Sequence, residues 1–433
     1  MKSILRITII NFLSIAFVAI IQSCEKKSTL PEVTTEKVRG ITQISAQSGG
    51  NVIDDGGAEV TARGIVWATN QNPTTSSDKT SNGTGTGSFT TIINGLTANT
   101  TYYIRAYAIN SEGTSYGEER DFTTSVPSTG IKKSDFPGGS RSGSTSFSIG
   151  TKIYLGLGSG DIYSSPRDFW EWDQATNIWT RKADYPGNSA GGAVGFSIGA
   201  KGYIGTGYII TGGVTNEFWE YDPATDTWTE KASLPVSAAR AYASGFSIGT
   251  KGYIGIGDPT NEWEYTSYFH DFWEWDQATN VWTQKADFGG SGRSSAVGFS
   301  IGTKGYIGTG YVTDIVASSS FSRDFWEWDQ TTNVWTQKAN LGGSGRLLAV
   351  GFSIGTKGYI GTGLASDGVL SSYYSKDVWE WDQATNIWTR KADLEGYERY
   401  SAVGVSIGDK GYIGTGFGKF DDPFQDFWEY DPK

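Results

Sequence analysis

The sequence predicts an all-β protein whose larger part consists of one repeated unit. The first observation is a short apolar run that recurs six times after about residue 130, centred on tyrosines 49 to 53 residues apart. These tyrosines are Tyr154, Tyr203, Tyr253, Tyr306, Tyr359 and Tyr412. The second observation is that no segment has a sustained period of 3.6 residues, whereas short apolar or alternating runs bounded by turn residues are frequent. Both favour short strands over helices.

Each repeat contains four predicted strands. In the fourth copy they are residues 296–301, 305–310, 324–329 and 334–339, joined in pairs by Gly-Thr-Lys and Gln-Thr-Thr-Asn turns. A four-stranded sheet of this size buries neither face alone, but copies stacked around an axis bury both. The repeats therefore predict a ring of six four-stranded sheets, which is a six-bladed β-propeller.

The tryptophans follow the repeat. Of the 17 tryptophans, 15 lie at repeat positions, as Trp170, Trp172 and Trp179 do in the first copy. A buried tryptophan removes roughly 150 to 250 Å² from water. We therefore expect these side chains to pack between sheets rather than to form a stacking platform for sugars or bases.

The repeat also has a recognisable pattern. A hydrophobic run ending in glycines is followed by an aromatic–Asp pair such as Trp328-Asp329, and a tryptophan, here Trp335, comes six positions after the Asp. With a period near 50 residues, this pattern resembles the kelch repeat. One departure is that Gly-Thr-Gly at residues 308–310 replaces the usual glycine pair. The resemblance covers residues 130–433 and implies a six-bladed kelch-type β-propeller.

The ends of this domain predict how the ring closes. The last copy stops at its third strand, so that one strand is missing. Residues 131–137 match residues 180–186, which end a fourth strand. We expect residues 129–134 to complete the sixth sheet, because an uncovered edge strand is prone to pair with other chains.

The N-terminus has the layout of a secretory signal peptide at residues 1–23, with Lys2 and Arg6 before an apolar run. Cys24, the only cysteine, follows this run and a small residue, which resembles the lipobox of bacterial lipoproteins. The resemblance implies lipidation of Cys24 and attachment to the outer membrane or cell surface of a bacterium. An ordinary signal peptide and an uncleaved anchor are the alternatives. Residues 24–36 are polar, charged or Pro-containing and predict a tether.

Residues 37–124 form a distinct segment with several β-runs, which suits a small two-sheet sandwich. The spacing of six residues resembles the late strands of fibronectin type III domains: Leu96, Thr100, Tyr102, Ile104, Ala108 and Asn110. The resemblance implies that Tyr102 is the tyrosine-corner residue and Trp67 the core tryptophan. Such a domain is expected to be a spacer, and residues 125–129 are a short linker to the propeller.

Composition excludes several functions. A net charge of −11 disfavours nucleic-acid binding, which requires a basic surface. With one histidine, His270, and one cysteine, the chain offers no metal site, and copper radical oxidase chemistry, known in some kelch propellers, is excluded; no cofactor is expected. The pattern Gly-x-Ser-x-Gly occurs five times on repeated strands without the helix and histidine that a nucleophile elbow requires. Carboxylate pairs such as Glu327 and Asp329 recur in nearly every copy, which favours strand and turn roles.

One constellation of candidate site residues remains. Five arginines recur at the same phase, in the connection that leads into the first strand of a repeat: Arg141, Arg240, Arg293, Arg346 and Arg399. The second copy has Ala190 at this position. The loops between the second and third strands, which are variable and rich in aromatics, are expected at the same end of the ring. The arginines either pair with acids and carbonyls of neighbouring sheets, or line the channel mouth and bind an anionic or hydroxyl-rich ligand.

Three functions are compatible with these features. The first is a lipid-anchored extracytoplasmic protein whose propeller, as a monomer, binds a glycan or protein ligand through one face. The alternative is an enzyme acting on acidic sugars, because the kelch family includes sialic-acid epimerases. The third is a purely structural or adhesive module. The sequence favours the first, since no singular acid or base stands out among the repeats.

Overall fold

The structure, a computed structural model, describes residues 27–124, 130–160, 166–260, 267–313, 319–366, 372–419 and 423–432. The signal peptide, Cys24 and the linker at 125–129 lie outside these residues. The chain divides into two compact units, Met1–Ser125 and Val126–Lys433. Within the described residues the one helical element is a 3-10 turn at Val236–Ala238, and no helix there is long and apolar enough to cross a membrane.

The N-terminal unit is a β-sandwich of two antiparallel sheets. Its strands β1 to β8 are Glu32–Thr35, Ser45–Asp54, Ala62–Ala68, Asp78–Lys79, Gly87–Asn94, Thr101–Asn110, Gly113–Tyr116 and Arg120–Thr123. One sheet has the order β1-β2-β5, and the other has the order β4-β3-β6, with both β7 and β8 paired to β6. Apolar side chains of the two sheets form one core, in which Ile65, Ile93 and Ile104 are fully buried.

Both residues singled out in the sandwich belong to its core or contact it. Tyr102 is buried, and its hydroxyl accepts a hydrogen bond from the Thr97 amide (3.1 Å). Trp67 is half-buried and packs against the core. The predicted tether at 24–36 is too long, because residues 32–35 form β1 and pair with β2. This strand was missed because four residues carry too little alternation to stand out from a polar segment.

The described residues of the C-terminal unit form six four-stranded antiparallel sheets, numbered here 1 to 6 in chain order. Sheet 1 consists of Thr145–Ile149, Lys152–Gly156, Phe169–Asp173 and Ile178–Lys182. Sheet 2 consists of Val194–Ile198, Lys201–Gly205, Phe218–Asp222 and Thr227–Glu230. Sheet 3 consists of Ser244–Ile248, Lys251–Gly257, Phe269–Asp276 and Val281–Gln284. Sheet 4 consists of Val297–Ile301, Lys304–Gly308, Phe325–Asp329 and Val334–Lys338. Sheet 5 consists of Val350–Ile354, Lys357–Gly361, Val378–Asp382 and Ile387–Arg390. Sheet 6 consists of Val403–Ile407, Lys410–Gly414, Phe427–Tyr430 and Gly130–Lys132. The four strands predicted in the fourth copy agree with those of sheet 4 to within two residues.

The sheets are arranged around an axis. The first strand of each sheet contacts the first strand of the next, and the first strand of sheet 6 contacts that of sheet 1, so the contacts form a cycle. The first strands are therefore innermost, as in a β-propeller. This arrangement confirms the prediction that the repeats form a propeller of four-stranded sheets.

Sheet 6 takes its fourth strand from the beginning of the domain. Gly130–Lys132 pairs with Phe427–Tyr430 in antiparallel register, with Ile131 opposite Glu429. Lys133 lies beside Glu429 as an ion pair at 2.8 Å, and its amide donates to the carbonyl of Phe427 (2.8 Å). The predicted closing strand is thus present.

Packing between neighbouring sheets depends on a large residue facing a small one. A phenylalanine of each of the first five sheets lies against a glycine on the second strand of the next sheet, where a Cβ would approach the ring to 2.0–2.5 Å. The glycines are Gly202, Gly252, Gly305, Gly358 and Gly411. At the junction of sheets 6 and 1 the large and small residues are exchanged. Val405 replaces the phenylalanine and Ile153 replaces the glycine, and both belong to one apolar cluster.

The tryptophans form the core between sheets, as predicted. Trp172, Trp275, Trp328 and Trp381 are fully buried, and Trp275 lies edge-to-face against Phe218 of the preceding sheet at a centroid distance of 5.0 Å. Hydrogen bonds join the same sheets: the Gln277 side chain donates to the hydroxyl of Tyr203 (2.7 Å), and equivalent bonds recur at three other junctions.

Two small three-stranded sheets were not predicted. They are Arg293–Ser294 with Tyr311–Thr313 and Ser319–Phe321, and Gly345–Leu347 with Leu364–Ser366 and Ser372–Tyr374. Each joins the connection before a first strand to the loop between the second and third strands. They were missed because these loops differ from copy to copy and show no alternation, so only tertiary contact selects the extended backbone.

Candidate functional site

The five arginines of the sequence analysis are buried within their own sheets. Each is at most 1% exposed and forms an ion pair with an aspartate just before the third strand or, in sheet 3, near its start. The pairs are Arg141–Asp168, Arg240–Asp271, Arg293–Asp324, Arg346–Asp377 and Arg399–Asp426. In sheet 5, Nη1 and Nη2 of Arg346 donate to the two carboxylate oxygens of Asp377 at 2.5 and 2.9 Å.

The remaining donors of these guanidinium groups are also engaged, except Nε of Arg141, which is buried without a hydrogen-bond partner in the protein. Nη1 of Arg346 donates to the carbonyl of Thr362 (3.0 Å), and its Nε donates to that of Ser344 (3.3 Å). Thr362 is the middle residue of the Gly-Thr-Gly segment, and its backbone, with a positive φ of 58°, presents this carbonyl to the arginine. The arginines are therefore inaccessible and paired in this structure, which corresponds to the first of the two roles considered from the sequence. These contacts give no support to the second role, the binding of a ligand.

Sheet 2 shows what the absence of this arginine changes. Ala190 takes the position of the arginine, and the partner position is Glu217, which instead accepts from the amide of Asn188 (2.8 Å). Tyr185 and Trp219 occupy positions whose equivalents in other sheets contact the ion pair. In sheet 2 the hydroxyl of Tyr185 and the indole N–H of Trp219 are buried without a hydrogen-bond partner in the protein. The arginine and aspartate thus occur together or not at all.

A closed ring of backbone hydrogen bonds surrounds the axis. It joins one residue from each sheet, just before the first strand, and each amide donates to the carbonyl of the preceding sheet at 2.9–3.0 Å. We call these residues the axial ring: Gly143, Gly192, Tyr242, Ser295, Leu348 and Ser401. The bond from Gly143 to Ser401 joins sheet 1 to sheet 6 and completes the cycle.

All six residues of the axial ring have positive φ, between 51° and 62°. Four of them are not glycine, and an L-residue in this conformation costs roughly 1–2 kcal/mol. The identities of the ring residues differ from sheet to sheet, whereas the strands are nearly identical. Side chains of different size therefore project from one regular backbone ring, which can shape a surface at the axis.

The axial ring separates two cavities. The ring residues and the small residues that follow them, such as Ser144 and Ala296, line a cavity of about 160 Å³. On the other side lies a wider cavity of about 430 Å³. Seven aromatic residues line the wider cavity, which we call the aromatic bowl: Tyr208, Tyr242, Tyr311, Phe321, Tyr374, Tyr400 and Phe417.

The repeat builds the wall of the bowl. In each sheet the residue that precedes the axial-ring residue in sequence forms a β-bridge. Its partner lies two positions after the threonine of the Gly-Thr-Gly segment, or after the residue equivalent to that threonine, as in the Tyr400–Phe417 bridge. The bridged positions after the second strands are Ser159, Tyr208, Asp258, Tyr311, Leu364 and Phe417. Five of these six line the bowl. Asp258 does not; it is 6% exposed and accepts a hydrogen bond from the Thr260 amide (2.9 Å).

The aromatic rings of the bowl support one another. Tyr374 and Tyr400 are stacked at a centroid distance of 5.4 Å and an angle of 17°, and Phe417 lies 5.8 Å from Tyr400. On the other side, Tyr208 and Tyr242 are stacked at 5.9 Å. Every one of the seven rings is half-buried, so that part of each remains exposed to the cavity.

The described lining of the bowl is uncharged. It combines the aromatic rings with three leucines and with the hydroxyls of Ser142, Ser159 and Ser401. The hydroxyls of Ser159 and Tyr208 are hydrogen-bonded to each other. Burial raises the pKa of Tyr208 and of Tyr242, so both phenols stay protonated at neutral pH. The bowl can stack against a flat or ring-shaped group and exchange hydrogen bonds with it.

Other residues considered from the sequence do not contribute. His270 is exposed on the third strand of sheet 3. The Gly-x-Ser-x-Gly motif serves packing: a Cβ at Gly245 would lie 2.1 Å from Val194 of the preceding sheet, and Ser247 donates to the carbonyl of Ser197 (2.7 Å). Within the described residues, no group of three or more His, Cys, Asp or Glu side chains could hold a metal ion.

Sequence reasoning located the face but not the site. It placed the variable aromatic loops at the arginine-bearing end, and Tyr208, Tyr311, Tyr374 and Phe417 come from these loops. It missed Tyr242 and Tyr400, which lie in the connections before the first strands. A signal existed, because these positions are in phase with the repeat and yet differ in residue type from copy to copy.

Comparison with known proteins gives the fold. No family model matches the sequence, and no curated protein matches it. Among solved structures, that of YjhT is similar, with a TM-score of 0.58 and 17% sequence identity over 68% of this chain and 95% of YjhT. At this level of identity the likeness supports the β-propeller fold and carries no statement about ligand or activity.

Proposed function

We propose that this protein is a lipid-anchored, extracytoplasmic binding protein whose six-bladed, kelch-type propeller binds a glycan in the aromatic bowl. The observation that carries the proposal is the bowl itself: seven half-exposed aromatic rings and three serine hydroxyls around a cavity of about 430 Å³. This volume lies within the range of about 300–1,000 Å³ typical of ligand sites. Six sheets joined by the closed axial ring support the blade number, and the repeat pattern supports the kelch type.

The chemistry of a sugar matches this lining. A pyranose ring has an apolar face of C–H groups, which suits an aromatic ring, and an edge of hydroxyls, which suits the hydroxyls of Ser142, Ser159 and Tyr208. A protein ligand remains the second candidate, since an exposed aromatic side chain of a partner would also fit a concave aromatic surface. The lining contains no carboxylate, imidazole or amine among the described residues, so the geometry does not favour the alternative of an enzyme acting on acidic sugars.

A glycan array tests the proposal. The full chain is expected to bind a subset of glycans, and Tyr400→Ala is expected to remove that binding because Tyr400 stacks between Tyr374 and Phe417. The matched control is Tyr397→Ala, which removes a 72% exposed tyrosine that stacks on Phe424 outside the bowl. Binding that survives in Tyr400→Ala and is lost in Tyr397→Ala would place the site elsewhere.

Export and lipidation are proposed from the sequence, with the N-terminal unit as a fibronectin type III-like spacer. The sandwich supports the spacer assignment, since its sheet orders β1-β2-β5 and β4-β3-β6 suit that domain and Tyr102 bonds to backbone upstream. Metabolic labelling with an alkyne fatty acid should mark the wild-type protein and leave Cys24→Ser unlabelled. Equal labelling of both proteins would refute lipidation at Cys24.

A further inference from the structure

The charge around the bowl bears on the class of glycan. The guanidinium groups that could have bound an acidic sugar are buried and paired with aspartates, as in the Arg346–Asp377 pair. The side chains that line the bowl within the described residues are apolar, aromatic or hydroxyl-bearing. An anionic ligand that moved from water into the bowl would therefore lose its hydration and find no counter-charge there, which is unfavourable.

The two sides of the bowl differ in polarity. Sheets 4 to 6 contribute rings and leucines, with Tyr374, Tyr400 and Phe417 forming a continuous stack. Sheet 1 contributes Ser142, Gly143 and Ser159, and its side chains are small. The hydrogen bond between Ser159 and Tyr208 leaves one hydroxyl proton of the pair and several lone pairs free for a ligand, whichever atom donates.

Gly143 leaves space beside the serines that line the bowl. A Cβ built on this glycine would meet only the Gly192 amide nitrogen, at 3.7 Å, and Leu348 occupies the equivalent ring position with a similar φ. The axial ring thus accepts a large side chain in this conformation, and the glycine provides space beside the serine hydroxyls. A sugar ring can enter there with its hydroxyl edge toward sheet 1.

We infer that the bowl takes an uncharged sugar residue, whose C–H face stacks on the Tyr374–Tyr400–Phe417 side and whose hydroxyls bond to Ser142, Ser159 and Tyr208. This inference rests on the proposed function and narrows it to neutral glycans, as opposed to glycans that end in sialic or uronic acid. The same aromatic lining could attract a quaternary ammonium ion through its ring faces. The serine hydroxyls on one side and the width of the cavity favour the sugar.

Paired probes test the inference. Saturation-transfer NMR and calorimetry with the full chain compare lacto-N-neotetraose with its sialylated form, cellotetraose with tetragalacturonate, and both series with tetramethylammonium. We expect the best neutral glycan to bind at least 10-fold more tightly than any acidic glycan, without competition from tetramethylammonium. Gly143→Leu, which fills the space beside the serines, should weaken this binding at least 10-fold, and Tyr397→Ala should leave it unchanged.

The outcomes separate the inference from the proposed function. Preferred binding of acidic glycans that Gly143→Leu abolishes would overturn the neutral class and keep the bowl as the glycan site. Preferred binding of tetramethylammonium in the bowl, or failure to bind any glycan, would overturn both. Circular dichroism and an unchanged melting temperature establish that Gly143→Leu is folded; if it is not, Tyr400→Ala replaces it as the variant that decides.

Discussion

Buried arginines are the residues on which the geometry of each sheet depends most. Arg346 joins the connection before the first strand to Asp377 at the start of the third strand and to the carbonyl of Thr362 after the second. Asp377 in turn accepts from the indole of Trp379 (2.7 Å) and the hydroxyl of Ser375 (2.5 Å). Each arginine therefore fixes the end of a sheet from which the loops of the bowl emerge.

Removing one arginine should destabilise the propeller strongly. Arg346→Ala leaves Asp377 buried without its counter-charge, and the loss of one partner of a buried pair costs about 3–5 kcal/mol. The free energy of unfolding in urea, followed by tryptophan fluorescence, checks this. Arg181→Ala, which breaks the exposed Arg181–Asp184 pair, is the control and should have no measurable effect. Equal losses in the two variants would contradict the role assigned to the buried pair.

The same ion pairs predict sensitivity to acid. Burial alone would raise the pKa of Asp324, Asp377 and Asp426, but the charge and hydrogen bonds of their arginines outweigh it and hold each pKa below its usual value. A carboxyl whose pKa is lower in the folded state stabilises the fold above its unfolded pKa, about 3.9, and loses this effect as the pH falls toward the folded pKa. The free energy of unfolding should thus be flat from about pH 5 to 8 and fall below about pH 4. In Arg346→Ala the acid limb should be shallower, and an unchanged limb would refute the assignment.

At the scale of single residues, the sequence predicted where the arginines lie better than it predicted what they do. The arginines were found because they recur in phase, but so do Asp168, Asp271, Asp324, Asp377 and Asp426, and the sheet that lacks the arginine also has Glu217 instead of aspartate. That joint absence was the available signal for pairing. The pairing was hard to see in the sequence because the loop between the two residues varies in length. The arginine and aspartate are 27 residues apart in sheets 1 and 6 and 31 residues apart in sheets 3 to 5.

The strands and their junctions form the next level. Strand bounds in the fourth copy could be predicted to within about two residues, because similar turns recur six times between first and second strands and five times between third and fourth strands. The short strands beside the bowl could not, since within the described residues strands such as Tyr311–Thr313 and Ser372–Tyr374 occur beside sheets 4 and 5 and not beside the other four. The reversed junction of sheets 6 and 1 was visible in the sequence as Val405 and Ile153, but its meaning requires knowing that these two positions are in contact.

This junction predicts a compensating pair of substitutions. Val405→Phe should crowd Ile153 and cost about 1–3 kcal/mol, and Ile153→Gly should leave a cavity and cost about 2–5 kcal/mol. The double variant restores the phenylalanine–glycine arrangement of the other five junctions and should lose less than the two single losses combined. Urea unfolding of all four proteins gives the coupling energy. Single effects that add to within about 0.5 kcal/mol would show that the two positions do not face each other.

The whole propeller is held as a ring at three levels. The closing strand Gly130–Lys132 completes sheet 6, the Val405–Ile153 contact packs sheet 6 on sheet 1, and the axial ring passes from Ser401 to Gly143 without interruption. The bowl depends on this closure, because its seven rings come from five different sheets. Ring closure could be predicted from the text of the repeats, whereas the bowl could not, since it results from residues that differ between copies and meet only around the axis.

The central claim is that six sheets form one closed ring whose axis carries the bowl, and residue-resolved hydrogen exchange of the six axial-ring amides tests it most directly. Each amide donates across a sheet junction, so all six should exchange slowly and with similar protection, comparable to amides of the buried second strands. Rapid exchange at Gly143, whose amide donates to the carbonyl of Ser401, beside slow exchange at the other five ring amides would show that the ring is open between sheets 6 and 1, and would contradict the account.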